Sequence, residues 1–231
     1  MMMYAIVRGP LVWISILVFV LGTAFQVYRF YALTRRKAAL TLKPVSPPPP
    51  GPTPAEPPPA VDEVPLTLVQ RLRLSILGTS PVTIAVTSVF HVCLVLLPLF
   101  VLGHNVLLDM AWGISFFSLP ESAADALTLV VIAGGLFFLG RRLFYPRVRA
   151  ITSAYDYVVL ALATTPFVTG FLAFHHLFDY DTVIFLHMLS GEIMLLAIPF
   201  TKLVHMPFFF INRFVLVHEN TFGRGGHRVW R

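Results

Sequence analysis

Five stretches of this chain, at 4–33, 82–103, 124–144, 157–177 and 182–211, are apolar over about the length a helix needs to cross a bilayer. That pattern leaves few options. With 57% hydrophobic and 12% charged residues and a mean hydropathy of +0.79, the chain carries more apolar surface than a water-soluble domain can hide. A lipid solvent admits helices or closed barrels, and no alternating strand pattern or internal repeat is visible. The expectation is an all-α integral membrane protein with five transmembrane helices. The first stretch does not read as a cleavable signal peptide: it is too long, has little positive charge before it, and no small-x-small site after it.

Charge placement orients the helices. Of 17 Lys and Arg residues only Arg8 falls on the N-terminal side of span one; the other 16 cluster between spans one and two, between spans three and four, and around the end of span five. The opposite side carries Asp109, Glu121, Asp125, Asp179 and Asp181. The positive-inside rule then puts the N-terminus outside and the C-terminus in the cytoplasm. It also accounts for the net charge of +6 with no nucleic acid partner.

The expected organisation is a first transmembrane helix at 1–34, a cytoplasmic Pro-rich linker and amphipathic lead-in at 35–79, a four-helix core at 80–211 and a basic cytoplasmic tail at 212–231. Residues 44–65 hold 11 prolines in 22 positions, which reads as a stiff polyproline spacer. Residues 66–77 mix apolar positions with Gln70, Arg71 and Arg73, as a helix lying on the membrane surface would.

A single cysteine, Cys93, excludes an internal disulfide, a Cys-ligated metal and an intrinsic iron–sulfur cluster; no C-x-x-C-H exists for covalent haem. A redox cofactor held by this chain has to use histidine. Four of the eight histidines lie in or at the ends of two spans: His91 and His104 in span two, His187 and His205 in span five. Ionisable residues in a span are costly and point to function. In antiparallel helices the matched depths are His104 with His187 on the outer side and His91 with His205 on the inner side. Each pair can supply two axial imidazoles to one iron, so the pattern fits two b-type haems between helices 2 and 5.

Ideal helix geometry puts His187 and His205, 18 residues apart, on one face. It puts His91 and His104, 13 apart, about 140° apart around the axis. Pro98 between them should kink the helix and re-aim one ring, and Pro199 sits similarly in span five.

Other residues stay open to two readings. His175 and His176 end span four on the outer side, as an interfacial pair or as proton acceptors of a quinone site. Glu192 is either an interhelical hydrogen-bonding group or a proton relay. Lys202, Arg141, Arg142, Arg147 and Arg149 set topology, or in part pair with haem propionates. His218 and His227 read as solvated tail residues. Two other functions compete with electron transfer: a non-redox membrane anchor or assembly subunit with structural histidines, and a proton or ion transporter using Glu192 and the histidines.

Several motifs resemble a known family. Phe90-His91 followed by Gly103-His104 resembles span two of the respiratory nitrate reductase gamma subunit superfamily. Arg141-Arg142-Leu143, the run 146–150, and Thr152-Ser153 with Asp156 resemble its loop between spans three and four. His187 with Pro199-Phe200-Thr201-Lys202-Leu203-Val204-His205-Met206 resembles its span five. Lys202, Met206 and the tail Arg224-Gly225, Arg228 and Trp230 are more similar to the membrane cytochrome b subunits of sulfate reducers' respiratory complexes (DsrM-, HmcE- and TmcC-like). The resemblance implies that His91, His104, His187 and His205 ligate two b-type haems. It further implies electron exchange with quinone or menaquinone, or a periplasmic cytochrome c. The implied partners are iron–sulfur or cytochrome c redox subunits, in a bacterial or archaeal cytoplasmic membrane. The chain departs from it in two ways: its span-two histidines are three residues further apart than in nitrate reductases, and the Pro-rich insert at 44–65 replaces a short loop.

Overall fold

The computed structural model describes residues 2–35, 80–206 and 208. The Pro-rich linker, the amphipathic lead-in, the basic tail and its histidines lie outside the described residues. All regular structure among the described residues is helical. The elements are α1 (Met2–Ile6), a π turn (Val7–Leu11), α2 (Val12–Arg35), α3 (Pro81–Phe100), α4 (Leu102–Trp112), α5 (Glu121–Phe144), α6 (Pro146–Arg149), α7 (Ala154–Phe174) and α8 (Tyr180–Ala197). Two 3-10 turns follow, Ile198–Phe200 and Lys202–Val204.

Five helical spans are long and apolar enough to cross a membrane. Their boundaries follow local chemistry. Pro81 starts α3 at a position where a missing N–H costs nothing. Glu121 opens α5 and Arg141 and Arg142 close it, complementing the helix dipole. The Ser153 N–H and hydroxyl both donate to Asp156 Oδ2 at 2.8 Å at the head of α7. Asp179 caps α8, accepting from the Thr182 N–H at 3.0 Å and hydroxyl at 2.6 Å, and these two donors hold its carboxyl below the usual range.

Three sides of a four-helix bundle form by close packing: α3 on α5, α5 on α7, α7 on α8. Phe90, Cys93 and Leu97 of α3 meet Val131 of α5 and Phe167 of α7 in the main apolar cluster. Glycines bring these backbones close, since a Cβ on Gly134 would lie 2.7 Å from Phe90 and one on Gly135 would lie 2.6 Å from Thr164. Cys93 is buried there as a small hydrophobe. On the fourth side spans two and five meet through histidine rings, His104 of α4 against His187 of α8 and His91 of α3 against His205 after the second 3-10 turn. Helix α2 packs outside the bundle, on α8. Only 11% of its most apolar window is buried, against 28% for α7, so α2 is the peripheral span and α7 the central one.

Span two is not one helix. Pro98 cannot donate to the turn before it, and α3 ends at Phe100. Val101 is extended (φ −71°, ψ 133°), and α4 starts afresh. Two carbonyls freed at this break find new donors: His104 Nδ1–H reaches Pro98 O at 3.0 Å, and Leu119 N–H reaches Phe100 O at 2.8 Å.

Span five also breaks, which corrects the expectation of a continuous helix over 182–211 with His187 and His205 on one face. Regular helix stops at Ala197. Pro199 sits in a 3-10 turn, Thr201 is extended (φ −120°, ψ −176°), and a second 3-10 turn leads to His205. Five whole turns therefore do not separate the two histidines; the bend at Thr201 sets the direction of His205.

Candidate histidine pairs at two depths

The structure brings His104 to His187 and His91 to His205. The first pair stacks with ring centroids 5.9 Å apart and planes 10° apart. The second has centroids 5.7 Å apart, planes at 78°, and Nε2 atoms 3.5 Å apart. The break at Val101 makes the first pair feasible, because a straight span two would turn His104 away from His91's face.

All four rings are held the same way. Nδ1 of His91 reaches Thr87 O at 2.7 Å, of His104 Pro98 O at 3.0 Å, of His187 Pro166 O at 2.9 Å, and of His205 Lys202 O at 2.6 Å. A carbonyl only accepts, so each Nδ1 carries the proton and each neutral ring keeps its lone pair on Nε2. This is the tautomer of a metal-ligating imidazole whose other nitrogen is anchored by a backbone carbonyl. Metal–imidazole bonds of about 2.0 Å place two opposed nitrogens about 4 Å apart, so His91 and His205 would have to open by about half an ångström to hold a metal ion between them. The donor set fits haem. It does not resemble a chelating metal site, since among the described residues no three His, Cys, Asp or Glu side chains converge.

The supporting shell is specific. His187 rests on α7 where a side chain is missing: a Cβ on Gly170 would lie 3.0 Å from its Cε1 and 3.2 Å from its Nδ1. Thr169 Oγ1 lies 3.4 Å from the same Nδ1 and 3.3 Å from Ser190 Oγ. Below the other pair, Lys202 Nζ donates to Asp156 Oδ1 at 2.6 Å, and the Lys202 N–H donates to the Tyr155 hydroxyl at 3.3 Å. The turn that carries His205 is thus tied to the head of α7. Lys202 and Arg141 are engaged within the protein, Arg141 donating to Thr83 Oγ1 at 2.7 Å.

Sequence reasoning overlooked Gly170, Asn105 and the carbonyl of Pro166. The visible signal was Pro166 and Gly170 one helical turn apart within an apolar span. Asn105, beside His104, is buried and folds the following loop back, its Oδ1 accepting from Phe116 N–H at 3.0 Å and its Nδ2 donating to Ser118 Oγ at 3.0 Å.

The two remaining outer histidines separate. His175 Nε2 lies 2.8 Å from Asp125 Oδ1 and packs on Phe171, ring centroids 4.3 Å apart. His176 has a left-handed backbone (φ 50°) and lies against Tyr180. Glu192 is only 4% exposed, and neither carboxylate oxygen has a hydrogen-bond partner among the described residues.

No family model matches the chain. It is similar to a protein of Nitratidesulfovibrio vulgaris (strain Hildenborough) that carries only the name "Protein", with 37% identity over 235 residues, covering 97% of this chain and 96% of that one. With that identity over nearly the whole of both sequences, the chain belongs to one family with this N. vulgaris protein.

Proposed function

We propose that this protein is a di-haem membrane cytochrome b, oriented N-terminus out and C-terminus in, in a bacterial or archaeal cytoplasmic membrane. In this reading it passes electrons between the quinone pool, or a periplasmic cytochrome c, and iron–sulfur or cytochrome c partner subunits. The observation that carries it is the pair of imidazole cross-pairs, each of the four Nδ1 atoms tied to a carbonyl. The resemblance of the 199–206 segment to nitrate reductase gamma subunits supports it, as does a relative in a sulfate reducer.

Bound at the two pairs, haem supplies reversible one-electron transfer. The chain's part is positional. His104 and His187 would hold one haem, and His91 and His205 the other. The carbonyl anchors fix ring orientation and raise the basicity of Nε2. The apolar helices exclude water and keep the path dry. At the outer end, His175 is the better proton acceptor for a quinol hydroxyl, because its Nε2–H is held by Asp125 Oδ1 at 2.8 Å and its Nδ1 lone pair is then the accepting atom. His176 has no carboxylate among its described hydrogen bonds or ion pairs.

A redox titration of wild type against His91→Ala and His205→Ala tests the assignment. Both variants should lose the same haem and keep the other. Loss of different haems would break the pairing, and a purified wild type with no reduced-minus-oxidised b-type band would favour an anchor or assembly subunit.

A further inference from the structure

Glu192 stands apart from the histidine pairs and has surroundings of its own. Helix α8 packs on α7 along one face and on α2 along another. His187 lies on the α7 side, against Gly170 and Pro166. Glu192 follows five residues later, about 140° around the helix. The carboxyl is buried there, and neither oxygen has a partner among the described residues.

The register of α2 against span five is fixed at three points. A Cβ on Gly22 would lie 2.8 Å from Pro199, Gln26 Nε2 donates to Pro199 O at 2.8 Å, and the Phe30 and Phe208 rings lie 5.2 Å apart. The two spans run parallel. Seven residues back from Gly22 and Pro199, Ser15 stands level with Glu192, and Ser15 is fully buried.

Ser15, Gly22 and Gln26 fall on one face of α2, at spacings of seven and four. The Ser15 hydroxyl donates to Val12 O at 2.8 Å within its own helix, whereas the buried Thr23 hydroxyl has no partner among the described residues. Over about 16 Å the α2–α8 interface carries polar groups at its two ends, Ser15 at one and Thr23 with Gln26 at the other, with the apolar run 16–21 between them. It leads from Glu192 to the break at Pro199 and Thr201, beside the exposed Lys202. Such groups are expensive in lipid unless they carry something. A π turn around Pro10 lies at the other end of this interface, and such turns recur at functional sites.

We propose that Glu192 is a proton-binding site within the membrane, loaded along the α2–α8 seam from the end that bears Gln26 and Thr201. A proton from water binds one carboxylate oxygen to give the neutral acid, and leaves by the same route. No charged group faces it from the elements packed on it. On α8 the nearest titratable residue is His187, turned to α7. On α2 none precedes Tyr28, and Arg8 of the π turn is exposed. On α7 none lies between Tyr157 and the helix end, and the turn 198–200 has none.

Infrared spectra of the full-length protein in H2O and D2O test this with no haem signal involved, so its outcome is separate from that of the cytochrome reading. At neutral pH wild type should show a protonated-carboxyl C=O band that is absent in Glu192→Gln and displaced in Glu192→Asp. That band should shift within minutes of transfer to D2O, and its exchange should slow about tenfold or more in Gln26→Leu and in Thr23→Val. An unchanged carbonyl region in both Glu192 variants would overturn the proton site. Exchange unaffected by either seam variant would overturn the route.

Discussion

Gly170 offers the sharpest separation between folding and site geometry. An alanine there gains about 1 kcal/mol of helix propensity over glycine. Its Cβ, however, would lie 3.0 Å from His187 Cε1 and 3.2 Å from Nδ1, a few tenths of an ångström inside ordinary contact. The ring has to retreat, and the 2.9 Å bond to Pro166 O stretches, forfeiting part of about 1 kcal/mol. Gly170→Ala should therefore melt within about 1 kcal/mol of wild type while turning His187 away from its partner. Gly170→Val puts two more carbons into the ring's place, and overpacking of that kind costs about 1–3 kcal/mol. On the di-haem reading, because 1.4 kcal/mol is a factor of ten in an equilibrium constant, a loss of that order lowers the affinity of the His104/His187 pair for haem about tenfold or more. The assay is haem per polypeptide in purified protein, alongside a redox titration and a thermal melt in detergent. The expected result for valine is one haem instead of two, the survivor with the wild-type potential of the His91/His205 pair. A valine variant with two haems at unchanged potentials would refute the reasoning.

Lys202→Met should detach the His205 turn from α7, shifting the potential of the His91/His205 pair alone; Lys202 is largely exposed, so the loss of stability should be no more than about 1 kcal/mol, and the charge-swapped Lys202→Asp/Asp156→Lys double variant should restore part of the shift. His175→Ala should slow quinol-driven haem reduction about tenfold or more in membrane vesicles and His176→Ala should not; equal rates in both would remove the Asp125 pairing from the explanation. The Asp179 cap has a carboxyl held below its unfolded value, so its contribution is complete at neutral pH and disappears as pH falls through the folded value. Protection factors at the start of α8, taken relative to the intrinsic exchange rate at each pH, should fall in acid in wild type and be low throughout in Asp179→Ala.

Hydrophobic runs and charge clusters made the five spans legible, because a span is a long pattern that no single residue can overturn. The cross-pairing of depths was legible for the same reason: it needed only helix order and approximate rise. Ring direction was not. It depends on Val101 and Thr201, single residues in extended backbone, whose consequences run through every atom after them. Pro98 marked the first break and the re-aiming of one ring between His91 and His104, and Pro199 marked the second break but not that the helix would end before His205. The carbonyl partners were invisible because the sequence names side chains, whereas Thr87, Pro98, Pro166 and Lys202 act through their backbones. Asp156 with Ser153 was legible only as part of a loop motif, and its hold on Lys202 joins segments 46 residues apart.

The ring-closed fourth side of the bundle has a consequence for assembly. Helices α3, α5, α7 and α8 each pack on their neighbour in the chain, so three sides can form in the order the spans enter the bilayer. Among the described ring contacts the imidazole pairs join span two, the first of these spans, to span five, the last, and His91 and His205 are 114 residues apart. A cofactor seated between them would act as a clasp fastened after the last span is in place. The finished bundle would then carry a record that its whole length had been inserted.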